Sequence, residues 1–126
     1  MKTFFGRLLQ DSRGSTIVEF TFVLPVLLTV VIGIMEIAWL GWAKATLDFA
    51  TAEAARCGVV RPDICGTTAQ IQSYGASEAA GLSVTPYSFT VTQASCGLMV
   101  TAQAGTGFIS YVLPKNISLT SQVCRS

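Results

Sequence analysis

Uncharged sequence runs from Phe20 to Met35 as FTFVLPVLLTVVIGIM, and after the single acid Glu36 the apolar character resumes through IAWLGWA to Ala43. The 24 residues from Phe20 to Ala43 predict a helix of about 36 Å, enough to cross a hydrocarbon core of about 30 Å with some tilt. Alanine-rich sequence then favours continuation of the helix through Lys44–Arg56, since no breaker precedes Gly58. Within that continuation Leu47, Ala50 and Ala54 recur at three- and four-residue spacing, an apolar stripe on which a small domain can pack.

Gly58, Pro62 and Gly66 mark a turn-rich connection. Thr67 and Gln70 stand at capping-box spacing and open a second, short helix running toward Gly81. Beyond it the period changes to two. Phe89, Val91 and Gln93 alternate with Thr90 and Thr92, Leu98, Val100, Ala102 and Ala104 form another face, and Ile117, Leu119 and Val123 form a third. The pattern predicts an α+β fold: a long N-terminal transmembrane helix extending into a small domain with a short helix and an antiparallel sheet of about three strands. Its segments are a basic leader (1–14), the transmembrane and extended helix (15–57) and the small domain (58–126).

Charged residues make up 12% of the 126, about half the usual share for a globular protein, which strengthens the membrane reading. Eight basic and seven acidic residues give a net charge of +1, so nothing here offers a polycationic surface to a phosphate backbone. The chain has no histidine, which removes Ser-His-Asp and Cys-His catalysis and the imidazole zinc motifs. No catalytic residue, metal or cofactor is expected, and the reading is non-enzymatic.

Lys2, Arg7 and Arg13 precede the span, offset by Asp11, whereas Lys44 and Arg56 after it are mixed with Asp48 and Glu53. That asymmetry keeps the N-terminus cytoplasmic and puts Trp39 and Trp42 at the far headgroup layer. Glu36 is expected to reach outward beside Trp39, the competing reading being contact with a polar position on a partner helix. A removable signal sequence is the competing reading, since Ala43-Lys44-Ala45 has small-x-small spacing. Its apolar core, however, runs well past the roughly 7 to 15 residues of a signal.

Cys57, Cys65, Cys96 and Cys124 all follow the apolar segment, and an even number on one side of a membrane indicates an oxidising space. Pairing 57 with 65 closes a local loop, and pairing 96 with 124 joins the ends of the last two strands. The second bridge opposes the side-chain parity of those strands and requires a bulge at Gly97. A zinc site is the poorer alternative because no C-x-x-C pair occurs.

The most specific stretch is Arg13-Gly14-Ser15-Thr16-Ile17-Val18-Glu19-Phe20, where a short basic leader meets the apolar helix. It resembles the processing site of type IV pilin-like proteins, and with VLPVLLTVVIGIMEIA it is similar to the TadE-like pseudopilins and minor pilins of tight-adherence (Flp) pilus systems. The resemblance implies cleavage between Gly14 and Ser15 by a membrane prepilin peptidase. It assigns Glu19 and the neighbouring Phe20 to subunit register and assembly, the Glu19 carboxylate being neutralised by the N-terminal ammonium of an adjacent subunit. Pro25 removes one amide donor, so the carbonyl near Thr21 loses its helical partner and the helix is expected to kink or loosen there.

The same resemblance implies a single-pass protein of the bacterial inner membrane, its C-terminal domain periplasmic, incorporated in or assembling an extracellular pilus. Implied partners are the peptidase, the major pilin, a sister pseudopilin, the inner-membrane assembly platform and the lipid bilayer, with no nucleic acid. The rival from another class is an uncleaved single-span anchor scaffolding a periplasmic complex.

Overall fold

The computed structural model describes residues 12–81, 87–105 and 117–126, and among residues 12–15 and Tyr87 the backbone alone. Lys2, Arg7 and Asp11 of the leader lie outside the described residues. The described elements are α1 (Ser12–Val60), α2 (Pro62–Cys65), α3 (Thr68–Glu78), β1 (Tyr87–Ala94), β2 (Gly97–Gly105) and β3 (Ser118–Arg125). The chain divides into two compact units, Met1–Met35 and Glu36–Ser126.

In the first unit the helix presents apolar side chains on every side. Exposure of the large apolar residues between Ile17 and Met35 ranges from 37% at Leu24 to 74% at Phe22. A helix hydrophobic all round is stable only when something apolar surrounds it. Helical structure is unbroken through Pro25. The hydroxyls of Thr21 and Thr29 donate back to the carbonyls of Ile17 (2.7 Å) and Pro25 (2.8 Å), so neither is left unsatisfied in apolar surroundings.

In the second unit one face of α1 is core. Ala43, Leu47, Ala50, Ala54 and Ala55 are fully buried in a single cluster with Phe89, Val100, Ala102, Ala104 and Leu119. The predicted stripe of Leu47, Ala50 and Ala54 is therefore intrachain core. Burying Leu47 alone contributes about 1.5–3 kcal/mol. Thr51, also fully buried, donates its hydroxyl to the Leu47 carbonyl at 2.6 Å. The helix passes its expected end near Arg56 and stops at Val60, because Arg61 precedes Pro62 and adopts φ −127°, ψ 69°. Gly58 thus lies inside the helix rather than ending it. A Cβ there would come within 2.5 Å of Leu98 Cδ2 and 2.8 Å of Ile71 Cδ1, so a close approach explains the glycine.

The predicted capping box is present: Gln70 N–H donates to Thr67 Oγ1 (3.3 Å) and Thr67 N–H to Gln70 Oε1 (3.1 Å). The short helix ends at Glu78, just before the expected Gly81. Its Gly75 passes so near the core that a Cβ would sit 2.9 Å from the Phe89 ring and 3.2 Å from Ala54 Cβ.

The sheet has three antiparallel strands in the order β1-β2-β3. Val91, Val100 and Val123 form one cross-strand row, and Phe89, Ala102 and Ser121 the next. Ser121 is the inward residue that apolar alternation misses in β3. It is 4% exposed and hydrogen-bonded to Asp48.

Both predicted disulfides are formed, Cys57–Cys65 with Cα atoms 5.6 Å apart and Cys96–Cys124 with Cα atoms 6.2 Å apart. No cysteine is free, so none is available as a metal ligand. The parity conflict is resolved by placement: Cys96 sits in the turn between β1 and β2, not on a strand, and Gly97 follows it at φ +116°. The bulge expected at Gly97 is absent, since β1 and β2 pair without a slip from Tyr87↔Ala104 to Ala94↔Gly97, and a side chain at Gly97 would meet the Arg125 carbonyl.

Candidate functional site

The candidate residues fall in both units: Gly14, Ser15, Glu19, Phe20 and Pro25 in the first, Trp39, Trp42 and the four cysteines in the second. Gly14 and Ser15 lie in the first turn of α1, which begins at Ser12. The first four N–H groups of a helix have no intrahelical partner, so this turn unwinds more cheaply than turns in the helix interior.

Glu19 is exposed on the second turn, as is Phe20 at 62%. It is the single charged residue between Thr16 and Met35. In hydrocarbon an ionised carboxylate at mid-helix costs about 2.5–3.5 kcal/mol, less near an interface, so a Glu near the start of the apolar run fits either contact with headgroups or pairing with an opposite charge.

The far end of the predicted span differs from expectation. Glu36 is 5% exposed instead of reaching outward, and Ala43 is fully buried. Trp39 is half-buried against the core cluster, whereas Trp42 is 51% exposed. The reason is that hydropathy registers a lipid-facing helix and a core-facing stripe alike. Only the domain fold decides which apolar residues the chain covers itself.

A polar clamp beside this core was not legible as such. Lys44 Nζ donates to the Asp48 carboxylate and to the Thr120 carbonyl at 2.8 Å, and Asp48 is also hydrogen-bonded to Ser121. Partial burial raises the Asp48 pKa. The hydrogen bonds from Lys44 and Ser121 and the Lys44 charge outweigh it, leaving the carboxyl below its ordinary value. The four-residue spacing of Lys44 and Asp48 signals their pairing, but nothing local signals β3 as the third party. The clamp fixes α1 to a sheet-edge strand and also occupies an edge carbonyl, a known way of blunting an edge.

Comparison with curated proteins and with solved structures gives no match. The family model described as TadE-like protein matches residues 14–56, from the glycine of the Gly14–Ser15 pair through the helical stripe buried under the sheet, so over that third of its length the chain is similar to TadE-like proteins.

Proposed function

We propose that the chain is a pseudopilin or minor pilin subunit of a tight-adherence (Flp) pilus, made as a precursor and cleaved after Gly14 by a prepilin peptidase. It has no catalytic role of its own. Residues 16–35, about 30 Å of helix, cross the bacterial inner membrane, with the N-terminus cytoplasmic and the disulfide-bonded unit periplasmic. The observation that carries this reading is the helix surface from Thr16 to Met35, apolar all round, uncovered by its own chain and charged at Glu19 alone.

In this reading Glu19 pairs with the Ser15 ammonium of an adjacent subunit, which sets axial register. The peptidase, the major pilin, a sister pseudopilin and the assembly platform are its partners. Mass measurement of the chain isolated from its native membrane tests the reading. A mature N-terminus at Ser15 is expected, and Gly14→Ala is expected to slow its appearance. An intact Met1, or a start at Thr46, would instead favour a scaffolding anchor or a removed signal.

A further inference from the structure

The two edges of the sheet are finished differently. On β3, Lys44 occupies the Thr120 carbonyl and the strand ends in Arg125. Strand β1 has no charged residue and no proline, and it pairs with β2 residue for residue from Tyr87↔Ala104 to Ala94↔Gly97. Its far side is unpaired among the described strands, and Ser88, Thr90, Thr92 and Gln93 along it are exposed. Folded domains ordinarily avoid a long, flat, uncharged edge, because it offers a row of free N–H and C=O groups to any extended chain.

This edge opens onto a cleft. A cavity of about 400 Å³ lies between the end of α1, the start of α3 and the β1–β2 hairpin, its walls including Gly58, Ile71, Val91, Thr92, Gln93 and Leu98. Ile71 is 5% exposed and Val91 and Leu98 are half-buried, so the floor is aliphatic, and none of the described lining residues is charged. A strand added beside β1 continues both faces of the sheet. Its inward residues extend the row of Phe89, Val91 and Gln93, so one of them enters the cleft next to Val91, and its outward residues extend the row of Ser88, Thr90 and Thr92. An ionised group on the inward side would lose water without gaining a counter-charge.

Direction narrows the occupant. Leu98, early in β2, lies against Gly58, and Thr120, opposite Gln103, lies against Lys44. The sheet therefore runs along α1, and β1 points from the Lys44 level toward the Gly58 level. Antiparallel pairing of β1 with β1 of a second copy would require two α1 helices pointing in opposite senses. Copies that span one membrane in one direction do not meet that way, a step that rests on the pilin-like reading above.

We infer that the β1 edge and its cleft are a docking site for an extended segment of another protein, added antiparallel as a fourth strand. The segment carries no charge and alternates aliphatic residues inward with hydroxyl residues outward. Main-chain hydrogen bonds to β1 supply affinity, and the cleft between Ile71, Val91 and Leu98 selects an aliphatic side chain.

The probe is a fluorescent, end-blocked peptide of alternating valine and threonine, with a solubilising lysine beyond each end of the pairing stretch, titrated onto the full chain in bilayer nanodiscs. Saturable binding is expected, with slowed hydrogen exchange at β1 amides and none of that slowing in β3. A proline at the centre of the peptide removes a main-chain donor and is expected to weaken binding about tenfold, an arm that needs no change in the chain. Thr92→Lys sets a charge on the exposed edge and is expected to weaken binding about tenfold, whereas Thr92→Ser keeps it. Unchanged near-ultraviolet circular dichroism checks that each variant domain is intact. No saturable binding, or equal binding by the proline peptide or by Thr92→Lys, overturns the inference. Protection of β1 amides that rises with chain concentration before peptide is added would make a second copy the occupant, and protection already complete at high dilution would assign the edge to a segment of this chain. Either of these overturns it as well. Mass measurement of the N-terminus reports the pilin-like reading separately, so a chain that keeps its leader yet binds the peptide leaves this site standing.

Discussion

Residues 16–35 and 36–60 belong to one helix of similar apolarity, yet they meet opposite conditions. Side chains of the first stretch are uncovered on every face, whereas the second stretch loses Ala43, Leu47, Ala50 and Ala54 to the core of its own domain. The difference is carried by residue size more than by hydropathy. Bulky Phe, Val, Leu and Ile fill the first stretch, while alanine dominates the second and lets a sheet of small inward residues, Ala102 and Ala104, come close.

Truncation should separate the two stretches most sharply. Leu47→Ala is expected to destabilise the domain by about 2–5 kcal/mol, whereas Leu27→Ala, the same chemistry in the uncovered stretch, should leave it within about 0.5 kcal/mol. Chemical unfolding in detergent, followed by near-ultraviolet circular dichroism, compares them. Loss of the Cys96–Cys124 bridge by Cys124→Ser, leaving Cys96 unpaired, is expected to cost about 3.5 kcal/mol, against about 2.5 kcal/mol for the shorter Cys57–Cys65 loop through Cys65→Ser. Gly75→Val forces a side chain between Phe89 and Ala54 and should cost about 1–3 kcal/mol. All these losses should appear in the domain, with the helical content of residues 16–35 retained.

The smallest effect concerns acid. The Asp48 carboxyl is held below its ordinary value, so its contribution is fully present above the unfolded pKa and is lost as pH falls through the lower, folded one. A thermal midpoint measured from neutral pH into that acid range should fall by a few degrees less in Asp48→Asn than in the parent. Since Lys44 and Asp48 are each nearly half exposed, salt should shrink the difference.

Much of this was legible along the chain because the signals are local. Thr67 and Gln70 are three apart and make their cap without help, and alternation at Val100, Ala102 and Ala104 needs only the strand itself. The bridges followed from strand order, although Cys96 proved to be a turn residue. What escaped depends on distant partners. Nothing near Ser121 announces Asp48, nothing near Gly58 announces Leu98, and the run from Glu36 to Ala43 reads as membrane until a sheet is known to lie against it. Gly14-Ser15 followed by Glu19 reads as a motif because its parts are ordered along the chain.

On the membrane-anchored function proposed above, one helix leaves lipid where it enters the core of its own domain. Photolabelling of the full chain in bilayers with a carbene probe confined to the hydrocarbon, read residue by residue, measures that boundary directly. Labelling spread round the helix from about residue 16 to residue 35 and falling away at Glu36 is the expected result. Labelling that continues undiminished through Ala43 and Leu47 would contradict it.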